Sequence, residues 1–351
     1  MCDWRALLVV LCVLIGSTLA LAQNINVRSA AWRGEEWIRS DEGQKYADNV
    51  VTWQNDDGGW PKGYNPHEPR AEDARPGAST FDNSVTHSEI RLLARAYAIH
   101  QKPEYRAAAE RGVKYLLEAQ YDNGGWPQSY PAPRGYGRYI TFNDGVFVGN
   151  MRILESVMTR QPGFEWFDDA TREQSAAAFA KGIECVLATQ IKVDGKLTAW
   201  AQQHDEKTLA PASARAFEPI CISASESAGV VMLLMSQSNP TDAMKQAIEG
   251  CIEWMQRVKI AGYRYDEVRG DDAEARPDRV IVEDPAASAI WARMYEIGTD
   301  RPIFTGRDGV VKYNLSEIER ERRAGYAWYG RWPARAIEQY EQWQQQHGAA
   351  K

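Results

Sequence analysis

The chain has 351 residues and a formal net charge of −7, and 44% of its residues are hydrophobic. The acidic balance, which no basic cluster offsets, excludes nucleic acid as a natural partner. The length allows a large core, and 13 tryptophans and 16 tyrosines suit either a carbohydrate-binding groove or an ordinary aromatic core.

The first residues predict export. Arg5 precedes an apolar stretch over residues 6–15, and small residues follow as far as Ala22. This order is typical of a signal peptide, and the apolar stretch is shorter than the roughly 20 residues that span a bilayer. We therefore predict a signal peptide over residues 1–22 and a secreted or periplasmic protein. The mature chain, residues 23–351, is predicted to form a single domain with a loop-rich minor subdomain.

Three cysteines, Cys185, Cys221 and Cys251, remain after removal of the signal peptide. An odd number allows at most one internal disulfide, and no pairing follows from the spacing. Buried free thiols are the simpler interpretation, because the spacings match no zinc or thioredoxin-type motif.

An internal repeat organises the chain. Four glutamines, Gln54, Gln120, Gln190 and Gln256, lie 66, 70 and 66 residues apart. The first two open segments that end in Gly-Gly-Trp-Pro, and the later copies are weaker. An Asp-Gly or Asn-Gly turn follows each of the first three glutamines, where glycine accepts a positive φ. Apolar residues precede the same three at offsets that mark one face of a helix: Ala47, Val50 and Val51; Val113, Leu116 and Leu117; Ile183, Val186 and Leu187.

A second helix fits between these helices, for example over residues 84–100, where Ile90, Leu93 and Tyr97 share one face. Each repeat then holds two helices and a loop, and such hairpins bury their apolar faces only by stacking into an arc or ring. The predicted fold is therefore predominantly α-helical, with short strands around residues 136–142 and 262–266. Stacking would gather the loops at one end, where a site is expected.

Two acidic loop segments occupy equivalent places in consecutive repeats. Asp82 and Asn83 precede one helix, Asn143 and Asp144 precede another, and Asp144 follows Asp82 by 62 residues. Each pair would serve as a helix N-cap, since Asp and Asn accept the free amide hydrogens there. Brought together at the rim, their oxygens would instead suit a hard cation such as calcium, completed by water or substrate oxygens.

Basic residues in this acidic chain are further candidates. His204 is the ordinary candidate for a base, because its usual pKa lies near neutrality. Arg215 reads most simply as a carboxylate clamp or as an ion pair with Glu218, since a guanidinium stays protonated. Three more arginines within fifteen positions predict either a carboxylate-binding patch or surface ion pairs: Arg293, Arg301 and Arg307.

Taken together, these segments resemble polysaccharide lyase family 10, the pectate lyases with an incomplete (α/α) toroid. The likeness covers residues 37–332 and rests on the order and spacing of short motifs. They are QNDDGGWPK at residues 54–62, TFDN at 80–83, GGWPQ at 124–128, ITFND at 140–144, ARAFE at 214–218, RPIF at 301–304, GRDG at 306–309 and GYAWYG at 325–330.

The resemblance implies a catalytic domain that cleaves polygalacturonate by calcium-assisted β-elimination. Arg215 would be the base that takes the C5 proton, in a cation-crowded site that lowers its pKa, so activity is expected to favour alkaline pH. The expected partner is the acidic polysaccharide, and the enzyme is expected to be a monomer. The implied calcium ligands are Asp144, Asp82 and Asn83. The implied substrate contacts are Asp82, Asn83, Lys62, His204, Arg293, Arg301 and Arg307.

Two alternatives stay open. An inverting glycoside hydrolase on a similar toroid would pair two carboxylates around a water, and Glu226 or Asp205 would serve in that role. A sugar-binding protein without catalysis would bind the acidic polysaccharide in a calcium-dependent way and leave it intact.

Overall fold

The computed structural model describes residues 26–269 and 277–347. The predicted signal peptide, residues 1–22, lies outside the described residues, and export stays a prediction. The chain divides into two compact units: one holds the residues up to Glu118 together with Ile153–Glu173, and the other holds Ala119–Arg152 and the residues from Gln174 onward. The single domain predicted over residues 23–351 stays a prediction.

Helices make up most of the first unit. They are α1 (Val27–Ala30), α2 (Glu35–Arg39), α3 (Asp41–Thr52), α4 (His87–His100) and α5 (Pro103–Glu118), with parts of α6 (Val146–Met158) and α7 (Asp169–Thr189). Helices α4 and α5 pack against each other as a hairpin, and α3 packs against both. The predicted apolar faces form the core, because Val50, Ile90, Leu93, Val113 and Leu116 are fully buried.

Within its described residues, the second unit combines the remaining parts of α6 and α7 with four more helices and thirteen strands. The helices are α8 (Ala224–Met235), α9 (Asp242–Arg257), α10 (Arg320–Gly325) and α11 (Trp332–His347). The strands are β1 (Ile140–Thr141), β2 (Lys192–Val193), β3 (Lys196–Leu197), β4 (Gln203–His204), β5 (Pro211–Ala212), β6 (Ile222–Ser223), β7 (Tyr263–Val268), β8 (Asp278–Glu283), β9 (Trp291–Ala292), β10 (Met294–Tyr295), β11 (Phe304–Thr305), β12 (Val311–Lys312) and β13 (Tyr329–Gly330). Strands β1, β4 and β5 form one small antiparallel sheet, and the others pair as β2–β3, β6–β10, β7–β8, β9–β13 and β11–β12.

The first three repeat glutamines, Gln54, Gln120 and Gln190, make equivalent contacts, which confirms the repeat for these three copies. Each Nε2 donates one hydrogen bond within its own loop and another to a carbonyl in the next helix of the α3, α5, α7, α9 series. The bonds are Gln54 to Gly58 O (2.8 Å) and Ala108 O (2.9 Å), Gln120 to Gly124 O (3.0 Å) and Ala178 O (2.9 Å), and Gln190 to Thr198 O (2.9 Å) and Ala247 O (2.8 Å).

A buried tryptophan ends each repeat loop. In the fourth copy the loop is longer than the sequence repeat predicts. Trp60 and Trp200 are fully buried, and their indole nitrogens donate to carbonyls of the preceding helix, at Val50 (2.9 Å) and Val186 (2.8 Å). In the fourth copy a similar bond runs from Trp291 Nε1 to the carbonyl of Met255 (2.7 Å), which lies one residue before Gln256 instead of four. The β7–β8 hairpin lies between Gln256 and this tryptophan, so the loop is much longer than the repeat predicts.

The cysteines and the helix lengths agree with the sequence expectations. Cys185, Cys221 and Cys251 are buried and form no disulfide. None of the helices in the described ranges is long and apolar enough to cross a bilayer.

Candidate active site

Each repeat tryptophan fixes the segment that carries the acidic loop residues. Its backbone carbonyl accepts a hydrogen bond from the first residue of that segment in three successive repeats. The bonds are Thr80 N to Trp60 O (3.1 Å), Thr141 N to Trp126 O (2.9 Å) and Ser223 N to Trp200 O (2.8 Å). Three residues further on, the equivalent positions hold Asn83, Asp144 and Glu226. Glu226 is therefore the third-repeat counterpart of the two residues predicted from the acidic motifs.

The acidic segments have a strained backbone and do not cap a helix in the first repeat. Asn83 and Asp144 both adopt left-handed conformations, with φ of 53° and 54°. Helix α4 begins at His87, three residues later than predicted, and its N-cap position is Thr86. The capping interpretation therefore does not hold for Asp82 and Asn83. Such left-handed non-glycine residues are typical of functional sites.

In the first unit, three predicted site residues lie together. Lys62 Nζ contacts Asp82 Oδ2 at 2.5 Å, and Asn83 Nδ2 donates to Asp82 Oδ1 at 3.1 Å. The lysine side chain is 53% exposed and the aspartate side chain 17%, so the pair faces solvent with its cation outermost.

In the second unit, Asp144 belongs to a buried polar network around Arg293. Asn143 Nδ2 donates to Asp144 Oδ2 (3.0 Å), while Asn143 Oδ1 accepts from Arg293 Nη2 (3.2 Å) and Gln202 Nε2 (3.3 Å). Arg293 Nη2 also bonds Glu226 Oε1 at 2.5 Å. This ion pair is buried, with side chains 13% and 5% exposed. Asn143 thus uses both ends of its amide to orient a carboxylate and a guanidinium.

The charges around Arg293 keep it protonated. Burial alone would lower its pKa, but the negative charge of Glu226, the hydroxyl of Tyr326 and the charge of Asp144 outweigh burial and raise it. The guanidinium also stacks over the Tyr326 ring at 4.9 Å. The side chain is held as a fixed cation, and its Nε is buried without a hydrogen-bond partner among the described residues.

Arg215 is paired with a buried carboxylate. Its Nε donates to Glu218 Oε2 (2.8 Å) and its Nη2 to Glu218 Oε1 (2.5 Å), which is a bidentate pair. The Glu218 side chain is 1% exposed and that of Arg215 is 45% exposed. The hydrogen bond with Glu218 raises the pKa of Arg215, and burial opposes this only in part. The lowering of this pKa by a cation-crowded site stays a prediction, and the Glu218 pair opposes it.

Phe217 gathers three arginines around one aromatic ring. The guanidinium carbons of Arg215, Arg307 and Arg322 lie 4.8, 4.9 and 3.9 Å from its ring centroid. Arg322 is 5% exposed, and its Nε and Nη2 have no hydrogen-bond partner among the described residues. Burial and the charges of Arg307 and Arg215 lower the pKa of Arg322. Arg322 was not predicted from the sequence, because it belongs to a helical segment rich in arginine, and such a segment is typical of a solvent-exposed surface.

The other two arginines predicted to bind substrate are exposed. Arg307 makes a bidentate pair with Glu321 (3.1 and 2.8 Å), with both side chains more than half exposed. The Arg301 guanidinium lies 3.5 Å from the Tyr313 ring centroid. Of the two, Arg307 lies at the Phe217 cluster.

His204 does not fit its predicted role as a substrate contact. The side chain is fully buried, Nδ1 lies 2.9 Å from the carbonyl of Leu209, and Nε2 accepts from the backbone amide of Ala201 at 3.2 Å. Burial lowers the pKa of His204 to about 4, so the ring is neutral. With both nitrogens used, the residue stabilises the β4 region and offers no group to a ligand.

Comparisons with known proteins place this chain in a class of enzymes. A family model described as pectic acid lyase matches residues 54–337. The chain therefore belongs to the pectic acid lyase family, whose members are polysaccharide-cleaving enzymes. No curated protein sequence matches the chain.

Two solved structures are similar along most of their length. One is a family 10 polysaccharide lyase from Cellvibrio cellulosa, with 32% identity and a TM-score of 0.79, covering 88% of this chain and 94% of that one. The other is a mutant of a family 10 polysaccharide lyase from the same organism in complex with trigalacturonic acid, with 31% identity and a TM-score of 0.79, covering 88% and 95%. The predicted family and the predicted fold class, an incomplete (α/α) toroid of helical hairpins, are thereby confirmed.

Replacing Arg293 with alanine should destabilise the protein more than replacing Arg307. The first change leaves Glu226 buried without its partner, which costs about 3–5 kcal/mol, whereas a surface pair contributes about 0–1 kcal/mol. Urea unfolding of the two variants and the wild type measures the difference. Equal losses of unfolding free energy would show that the Arg293–Glu226 pair is not the buried pair described above.

Proposed function

We propose that this pectate lyase cleaves α-1,4-linked polygalacturonate by β-elimination. The proton at C5 passes to a base, the electrons of the C5–H bond form a C4–C5 double bond, and the bond from C4 to the glycosidic oxygen breaks. The leaving oxygen takes a proton from solvent. The C6 carboxylate next to C5 must be neutralised for this step, because negative charge develops on it in the transition state. The cationic cluster of the second unit supports this chemistry.

Arg215 is the proposed base, and the other arginines bind substrate carboxylates. The observation that carries this assignment is the Phe217 cluster, where three guanidinium groups surround one ring in a chain of net charge −7. Arg215 uses Nε and Nη2 for Glu218, so Nη1 is the nitrogen that faces away from the ion pair. Arg293, held by Glu226, and Arg307 supply fixed positive charge for uronate groups.

A protonated arginine cannot accept a proton, so the pairing with Glu218 sets the pH dependence. At any pH below the pKa of Arg215, the neutral fraction of this side chain grows about tenfold for each unit by which the pH increases. The pair with Glu218 raises that pKa. The rate should therefore increase toward alkaline pH.

The donor groups fit a calcium ion. Calcium prefers carboxylate and carbonyl oxygens, which Asp144 supplies in the second unit. In the first unit, the Asp82 carboxylate already pairs with Lys62. Among the described residues no group of three or more His, Cys, Asp or Glu side chains lies close enough to hold a metal. Water and uronate oxygens would complete the coordination. A bound calcium would supply positive charge beside the C6 carboxylate and so acidify the C5 proton.

The two carboxylates predicted for a hydrolase, Glu226 and Asp205, do not suit that role. An inverting hydrolase requires one carboxylic acid with a raised pKa and one free carboxylate. Glu226 is committed to Arg293, and hydrogen bonds from the backbone amides of Thr208 and Lys207 lower the pKa of Asp205. The family assignment likewise favours a lyase over a non-catalytic sugar-binding protein. Export and a monomeric state stay predictions.

Replacing Arg215 with alanine should reduce kcat by about 10²–10⁴-fold, the usual contribution of a general base. The measurement is the ultraviolet absorbance of the unsaturated uronide product, with and without a chelator. Isothermal titration with an oligogalacturonate should show that binding is retained. Arg257→Ala is the matched control, because this arginine also pairs with a carboxylate, Asp300, at 2.7 Å. Wild-type turnover by the Arg215 variant would remove this residue from the mechanism.

Replacing Glu218 with glutamine should move the pH–rate profile to lower pH. The substitution keeps the shape of the side chain and removes the charge that raises the pKa of Arg215, so more of the base is neutral at a given pH. Glu321→Gln, at the exposed partner of Arg307, should leave the profile in place. A Glu218 variant that is slower at every pH with an unshifted profile would contradict the role of Arg215 as base.

A further inference from the structure

Arg322 is a buried cation, and no ion pair with a carboxylate neutralises it in the described part of the chain. It belongs to helix α10 and is 5% exposed. Its Nε and Nη2 are buried and have no hydrogen-bond partner within residues 26–269 and 277–347. Arginine stays protonated in proteins, and buried charged side chains are normally paired. Packing alone therefore does not account for a charged group at this position.

Aromatic rings surround this guanidinium. Its carbon lies 3.9 Å from the ring centroid of Phe217, 5.0 Å from that of Tyr326 and 5.7 Å from that of Trp328. Ring faces attract a cation and so offset part of the cost of its burial, but they carry no net charge. They also keep water away, and water is what screens a charge most strongly. The positive charge of Arg322 therefore acts on its neighbours with little screening.

Arg215, the proposed base, lies at the same ring. Its guanidinium carbon is 4.8 Å from the Phe217 centroid. The guanidinium carbons of Arg215 and Arg322 are therefore less than about 9 Å apart, a distance at which two like charges repel each other where water is excluded. Arg307 is the third cation at this ring, but Glu321 pairs with it in an exposed position. Of the three cations, Arg322 is the one without a carboxylate partner among the described residues.

The groups around Arg215 act on its protonation in opposite directions. Glu218 is bonded to it and favours the protonated form, whereas nearby cations disfavour that form. Burial lowers the pKa of Arg322 most, the charges of Arg307 and Arg215 lower it further, and the same repulsion acts in return on Arg215. The titratable and charged groups that interact with Arg215 or Arg322 are Glu218, Arg307, Glu321, Tyr136 and Tyr326. The charge of Arg322 therefore opposes the effect of Glu218.

We propose that Arg322 is a positioning residue for the reaction: its fixed charge acts across the Phe217 ring and increases the fraction of Arg215 that is neutral and able to take the C5 proton. Its Nε and Nη2 are buried, so they do not bind a substrate carboxylate, and this separates Arg322 from Arg293 and Arg307. The inference rests on the proposed function, since it assumes that Arg215 is the base.

The test measures how fast phenylglyoxal labels Arg215 in the full chain without substrate, by mass spectrometry of the peptide. This reagent adds to the unprotonated guanidine, so the rate reports the neutral fraction, and the Arg215 side chain is 45% exposed to it. Arg322→Met fills the same space without a charge. The labelling rate should fall about three- to tenfold, because losing a like charge at this distance shifts the protonation equilibrium by about half to one pH unit.

Three further variants separate charge from packing, and urea unfolding checks that each is folded. Arg322→Lys keeps the charge and should keep the wild-type labelling rate. Arg322→Gln is a second neutral variant and should show the same loss as Arg322→Met. Arg320→Met is the matched control, because this arginine is an exposed residue of the same helix, and it should leave the labelling of Arg215 unchanged.

Turnover of polygalacturonate is measured at the same pH, and kcat should fall by the same factor as the labelling rate. Unchanged labelling of Arg215 in the two neutral variants, or an equal loss in Arg322→Lys, would overturn the role of Arg322. Slower labelling with unchanged kcat would instead uphold the effect of Arg322 on Arg215 and refute Arg215 as the base. The failure of this inference and the failure of the proposed function are therefore distinguishable.

Discussion

The structure depends on one interaction that recurs in three repeats, the side-chain amide of Gln54, Gln120 and Gln190. Each Nε2 has two hydrogens and donates both, one to its own loop and one to the next helix of the series. The amide thus fixes a loop and a helix spacing at once. Without it, two carbonyls of each repeat would lose their partner, at a cost of about 1–3 kcal/mol for each buried group.

The consequence for function is that the loops present their residues in a fixed order. Each loop ends in a buried tryptophan whose carbonyl holds the next segment, so Asn83, Asp144 and Glu226 occupy equivalent positions. The repeated hydrogen bonds give the three loops the same backbone framework. The residue type at the equivalent position differs between the loops, and this difference gives each loop its own chemistry. Glu226, in the third repeat, pairs with Arg293 and so holds a cation in place. Asn83 and Asp144, in the first two repeats, offer side-chain oxygens.

The helices and turns could be predicted from the sequence, because they depend on the spacing of residues close together in the chain. Apolar residues three and four apart predict helices, and the glycines predict the turns, since Gly58, Gly124, Gly195 and Gly262 all have positive φ. Contacts between distant residues leave no such local pattern. The Arg293–Glu226 pair joins residues 67 positions apart, and Arg322 meets Phe217 only through the tertiary fold. His204 was misassigned because sequence shows its usual pKa and not its burial.

The most direct test of the account is a crystal structure of the Arg215→Ala variant with bound oligogalacturonate and calcium. One uronate should lie with its carboxylate beside Asp144, Arg293 and the metal, and with its C5–H directed at the space left by residue 215. A substrate whose C5–H points elsewhere, or whose carboxylate contacts neither Asp144 through the metal nor Arg293, would contradict the account.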